Sequence, residues 1–414
     1  MNFYGKSFNK ALEKGLLGKL PSLLLKMGKC HLKLGTMEKD ISTQMASARL
    51  ASYKMGESIV TSLRNNEESS QGEKWIWKAI KEAKSVEAFF FDDILSQVQD
   101  KAEALRMSAL FANELVNVNL PKHPYLNVLV SVHKQVAFQA FGLTEEFLRM
   151  RDHQGARQSL QILLTALSKA EYNFTLQEND DAEVKTDLET LSKDYRASCD
   201  TALALEAWEA GSLIADFAAK EMESKDIESA LNRGWDALDK FKETETLTEA
   251  SFDEVCYDAK SAQGFLYLNI FKNHSMAKKI FTAIIESSAS ESHKDKEWFQ
   301  NATNALKKME KNEPSAQKAS ILEELKPDLD KIKVALKDAG RDLQKIIDFI
   351  YTNYPPIPRN DGNPRVKPSV INLTEAKAKR KMIFSYHPDK IDSSDMKHKL
   401  LCEEITKIFT LRAV

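Results

Sequence analysis

His387-Pro388-Asp389 places an imidazole, a backbone of fixed φ and a carboxylate in consecutive positions. Imidazole and carboxylate are the common agents of proton transfer near neutral pH, so the first question is whether the chain gives them a reactive partner. It does not. There is no nucleophile–base spacing, no GxGxxG or GxxxxGK[ST] loop and no HExxH pair, and the 8 histidines are dispersed. The chain reads as a protein that is not an enzyme and needs no cofactor. The tripeptide reads as a shaped contact loop: Pro388 keeps His387 out of helical geometry and holds the turn to a narrow set of shapes, and Asp389 sets a carboxylate at its tip. His123-Pro124, without an Asp or a basic helix beside it, marks only a helix boundary.

The flanks decide what such a loop is for. Residues 373–386 (LTEAKAKRKMIFSY) continue as a helix from an N-cap at Asn372 or Thr374. Lys377, Arg380 and Lys381 fall at i, i+3, i+4 and share one face, whereas Ala378, Met382 and Tyr386 share another. No acidic residue interrupts the charge between Ala376 and Tyr386. Beyond the polar loop KIDSSDMK, which starts at Lys390, helix resumes from Lys399 to Leu411 with an apolar stripe of Leu401, Ile405, Ile408 and Phe409. Two antiparallel helices result, with His-Pro-Asp at their shared end. A helix terminator followed by a capping carboxylate would explain the tripeptide but not these flanks.

With that context the segment resembles the J-domain of DnaJ-type co-chaperones. SYHPDK, the basic face before it and LCEEITKIF after it carry the resemblance, which covers about 44 residues (371–414). Its place after a long helical region and a proline-rich linker is similar to that of auxilin-type J-domains. No typical first helix directly precedes it, and Thr406 stands about where the family often has Asn. The resemblance implies a partner ATPase of the heat-shock-70 chaperone class and no chemistry by this chain. His387, Pro388, Asp389, Lys377, Arg380, Lys381 and Lys390 form the expected partner-binding set. Physically, the basic residues would find an acidic surface while Asp389 reaches a cation on the partner.

The remaining chain must position and direct that hairpin. At 414 residues it exceeds what one core usually fills, and its 14 Gly and 11 Pro are few enough to favour helices. Residues 23–35 and 42–60 read as a helical hairpin with Gly28 at a close approach and Gly35 as a stop. The layout returns over residues 259–285, with Gly264 and Tyr267 on the first helix and Ala277, Phe281 and Ile284 on the second. Residues 124–167 and 208–238 also read as paired helices. Small residue, aromatic, turn, then Ala–Phe–small is the logic of stacked hairpins, and these segments resemble tetratricopeptide repeats. A non-repeating bundle shares the same periodicity. The fold expectation is therefore all-α: a tetratricopeptide-like solenoid over 1–312, a heptad-patterned long helix over 313–353, a proline-rich linker over 354–370 and the J-domain-like hairpin over 371–414.

In the long helix, Leu329, Ile332, Leu336, Ala339, Leu343, Ile346 and Ile350 form a seam, with a helix start near Pro327. With Gly340 inside it and only three heptads, the seam is expected to pack on neighbouring helices rather than to dimerise, so the oligomeric state stays open. Residues 65–72 and 287–296 read as polar connectors, and Trp75, Trp77, Trp208, Trp235 and Trp298 as core. A formal charge of −2 gives no footprint for nucleic acid. The scattered Cys30, Cys199, Cys256 and Cys402 suggest neither disulfides nor a metal site. With no apolar run near the roughly 18–20 residues of a membrane span, a soluble cytoplasmic protein is expected. Its helical repeats would bind an unidentified protein or peptide. The alternative is a pure interaction scaffold whose J-domain is degenerate.

Overall fold

A computed structural model describes residues 2–64, 70–118, 121–178, 181–248, 254–287, 293–311, 316–340, 342–356, 367–370, 373–390 and 395–411. Every regular element among these residues is helical, so the all-α expectation holds. The chain divides into two compact units, 1–202 and 203–414.

The first unit contains α1 (Asn2–Glu13), α2 (Leu20–Met37), α3 (Ile41–Arg64), α4 (Ser70–Ala88), α5 (Lys101–Asn113), α6 (Leu126–Arg149), α7 (His153–Gln177) and the start of α8 (Ala182–Glu223). Helices α2 and α3 pack along their length, as do α6 and α7. Gly28 lets α3 approach: a Cβ there would lie 2.9 Å from Met55 Cγ. Gly35 does not stop α2, which runs on to Met37, because the glycine is needed inside the helix where Ser47 and the Phe89 ring press against it. Residues 70–72, expected in a connector, begin α4; residues 65–69 lie outside the described residues. His123-Pro124 precedes α6, as its sequence implies.

One turn chemistry recurs. Arg151, Lys225 and Lys272 each take a left-handed backbone, with φ of 58°, 64° and 53°. Each is followed by an Asp or Asn that caps the next helix: Asp152 accepts from Gly155 N at 2.8 Å, Asp226 from Ser229 N at 3.2 Å and Asn273 from Met276 N at 3.1 Å. Four residues after each cap stands an alanine, Ala156, Ala230 or Ala277, with no exposed surface. The left-handed residue reverses the chain, the cap satisfies an orphan N–H, and the alanine lets the returning helix close on its predecessor.

In the second unit α8 is followed by α9 (Ile227–Thr248), α10 (Glu254–Asn269), α11 (His274–Ser287), α12 (Glu297–Lys311), α13 (Ala316–Ala339), α14 (Leu343–Asn353), α15 (Glu375–Ser385) and α16 (Met396–Leu411). Gly264 of α10 receives the Phe281 ring of α11 so closely that a Cβ would sit 2.5 Å from it. The long helix expected over 313–353 is two helices. Pro327 lies inside α13, while the break falls at Gly340, where φ of +56° turns the chain and Asp342 caps α14 by accepting from Lys345 N at 3.2 Å. The seam residues nonetheless share one core, with Ile332, Leu343, Ile346 and Ile350 buried and Leu329, Leu336 and Ala339 partly so. They pack among α13, α14 and α16, on neighbouring helices as the heptad pattern suggests. Of the tryptophans, Trp235 and Trp298 are core and Trp75 and Trp208 are partly buried, but Trp77 is 57% exposed, because the inward positions of α4 fall on Ala79, Ile80, Ala83 and Val86. Most of the proline-rich linker, residues 357–366, lies outside the described residues.

Candidate partner-binding site

Thr374, not Leu373, sets the start of α15: its hydroxyl accepts from Lys377 N at 3.4 Å, and Asn372 lies outside the described residues. The helix ends at Ser385, as Pro388 requires. Ala378, Met382 and Tyr386 are buried, and so are Leu401, Ile405 and Phe409 of the returning α16. The two helices pack on each other, and a polar tie joins the carboxyl end of α15 to the second half of α16, where the Thr406 hydroxyl donates to the Tyr386 carbonyl at 3.0 Å. An α-helix leaves its last carbonyls without partners, so Thr406 fixes the approach to the His-Pro-Asp turn by capping α15 from across the hairpin.

Tyr386 is a second anchor. Its hydroxyl donates to the Tyr354 carbonyl at 2.7 Å, its ring meets Tyr351 edge-on at 5.9 Å, and Tyr351 Oη bonds Ser385 Oγ at 3.2 Å. Burial holds the Tyr386 phenol far above its ordinary range, so it stays protonated and can donate. These contacts join α15 to the end of α14, so the segment before the linker supports the hairpin.

Of the predicted partner-binding residues, Arg380, His387 and Asp389 meet a surface of their own chain. His387 and Pro388 are buried, and His387 has no exposed surface. The imidazole Nε2 lies 2.9 Å from the Ile270 carbonyl oxygen at the carboxyl end of α10, and Asp389 N points at Nδ1 from 3.4 Å. A carbonyl only accepts and a backbone N–H only donates, so His387 is the neutral tautomer with its proton on Nε2. Asp389 Oδ2 stands 3.5 Å from Lys272 Nζ, at the left-handed residue of the α10–α11 turn.

Arg380 reaches Asp236 Oδ1 at 3.4 Å and Asp239 Oδ2 at 3.5 Å on α9, with its guanidinium 5.9 Å from the Trp235 ring. Lys377 and Lys381 are exposed. Lys390 ends the short 3₁₀ turn Pro388–Lys390, and its side chain lies outside the described residues. The expected basic face is therefore divided, two lysines facing solvent and one arginine folded onto carboxylates. The loop expected at a free tip is docked instead, because α10 ends in a carbonyl that lacks an intrahelical donor and His387 supplies one.

Sequence reading named neither Thr406 as a cap nor the patch of Trp235, Asp236, Asp239, Ile270 and Lys272. The Asp236–Asp239 spacing, i and i+3 on one exposed helix face, was the available signal. Among the described residues no cluster of His, Cys, Asp and Glu could hold a metal, all four cysteines are free, and no helix is long and apolar enough to cross a membrane. Searches against protein-family models, curated protein sequences and solved structures give no match to this chain.

Proposed function

We propose that this protein is a J-domain co-chaperone: its carboxyl-terminal hairpin stimulates ATP hydrolysis by a heat-shock-70 class chaperone, and its helical hairpins direct that chaperone to a bound protein or peptide in the cytoplasm. The observation that carries the reading is the hairpin itself. A helix with Lys377 and Lys381 exposed leads into His-Pro-Asp, and Thr406 of the returning helix caps the end of that first helix. Nothing in that arrangement needs to make or break a covalent bond. Stimulation requires that the contacts favour one conformation of the partner ATPase over another, since equal affinity for both would change nothing. Asp389, paired with a cation on the partner, is the group best suited to sense such a change. The hairpins of the two units, with glycines at their close approaches, suit a tetratricopeptide-like array.

The test is the steady-state ATPase rate of such a chaperone with the wild-type chain, His387→Gln and Asp389→Asn. Acceleration by wild type that both substitutions remove supports the reading. Acceleration that survives them contradicts it. The zero exposure of His387 favours a second reading, a scaffold in which the hairpin is only a structural cap on α10. In that case neither the wild-type chain nor a variant with an undocked hairpin would accelerate hydrolysis.

A further inference from the structure

The patch that receives the loop has a definite order of charge. Asp236 and Asp239 face Arg380, Lys272 faces Asp389, and the Ile270 carbonyl faces His387. An acidic surface for the basic helix and a cation for Asp389 are what an external partner must offer. We infer that α9 and the α10–α11 turn form an internal receptor for the hairpin, a reversible clamp that withholds Arg380, His387 and Asp389 from the chaperone. This inference rests on the co-chaperone reading and names its regulation.

The apolar faces of α15 and α16 belong to the core they share with α9–α14, so the clamp consists of the polar contacts around the loop, and two features make these reversible. The ion pairs are long, at 3.4 to 3.5 Å, and use side chains that keep water contact: Arg380 is 29% exposed, and Asp236 and Asp239 are 59% and 65% exposed. Such pairs shift an equilibrium only a few-fold each and weaken with salt. The hairpin also has a tie of its own between Tyr386 and Thr406 that does not involve the patch.

Lys377 and Lys381 stay exposed in the docked state and provide a first foothold for an acidic partner, which must then compete with Asp236 and Asp239 for Arg380. Docking and full engagement exclude each other, because His387 has no free surface while docked.

The experiment uses the full chain with D236K, D239K and K272N combined; Asn tolerates the positive φ of position 272. The isosteric pair D236N and D239N serves as a milder second variant should the charge reversals disturb α9. Two quantities are read, amide hydrogen exchange over residues 375–390 and stimulation of a heat-shock-70 class ATPase. Roughly tenfold faster exchange together with several-fold greater stimulation, abolished by adding D389N, is the expected result. Unchanged exchange in both variants overturns the clamp. Faster exchange with stimulation equal to that of an active wild-type chain overturns the gating while leaving the co-chaperone reading intact. Faster exchange with no stimulation by any form overturns the co-chaperone reading and the gating with it.

Discussion

Substituting Gly264 by alanine isolates the packing rule on which the second unit's hairpins depend. The added Cβ would lie 2.5 Å from Phe281 Cε1, 2.7 Å from Cζ and 3.0 Å from Cδ1, against ordinary carbon contacts of about 3.5–4.0 Å. Either the ring or the helix must move by about 1 Å, and neither is free to do so. Phe281 has no exposed surface, meets Phe265 edge-on at 5.1 Å and lies between buried Ala277 and Ile284. Overpacking of this kind costs about 1–3 kcal/mol, and the better helix propensity of alanine returns at most about 1. A net loss of about 1–2 kcal/mol in the second unit is expected. Gly142, inside α6 with nothing within 4 Å of its Cβ position, is the control, and Gly142→Ala should stabilise the first unit by about 0.5–1 kcal/mol. Urea unfolding read by amide exchange assigns each change to its unit. If Gly264→Ala stabilises as Gly142→Ala does, α10 and α11 do not meet through a glycine–phenylalanine contact and the hairpin logic is wrong.

Three further outcomes follow from individual residues. Burial and Lys169 lower the pKa of His133 to about 4, so the folded chain keeps this ring neutral while the unfolded chain protonates it. Stability is thus complete above the unfolded pKa near 6.5 and falls as pH drops towards 4, by about 2 kcal/mol between pH 7.5 and 5, and His133→Phe should flatten the part of that slope measured by denaturant midpoints. His31 and His123, lowered chiefly by burial, act with the same sign. Gly340→Ala meets no neighbour but forces a side chain into φ of +56°, and should cost the second unit about 1 kcal/mol in thermal or urea unfolding, with Gly340→Asn costing less. Burial raises the Cys402 thiol to about 12, and Cys256 is also buried, so at neutral pH a thiol reagent followed by mass spectrometry should label the partly exposed Cys30 and Cys199 first.

How far the sequence could be read depended on the range of the interaction. The hairpin 375–411 was legible because everything that makes it is local: a Thr374 cap, i, i+3, i+4 spacing, a proline that ends the helix and a returning apolar stripe. The pairing of α10 with α11 was legible for the same reason, through Gly264 and Phe281. Gly35 and Pro327 misled because helix propensity is a weak preference that packing overrides. Gly35 sits where Phe89 presses on α2, and Pro327 is tolerated inside α13. The recurring turn in Arg151-Asp152, Lys225-Asp226 and Lys272-Asn273, each with an alanine four residues after the cap, was present in the sequence at unequal spacing, which hides it from a search at fixed period. The docking of His387 on Ile270 was not legible at all. It joins residues 117 positions apart through a backbone carbonyl, which carries no sequence signal.

The most direct measurement is steady-state ATP hydrolysis by a heat-shock-70 class chaperone titrated with the full chain, with D389N, and with both forms on the D236K/D239K/K272N background. Acceleration that is strongest on the undocked background and disappears with D389N is the expected result. Acceleration indifferent to D389N, or none on either background, would contradict the proposal that this hairpin drives a chaperone ATPase.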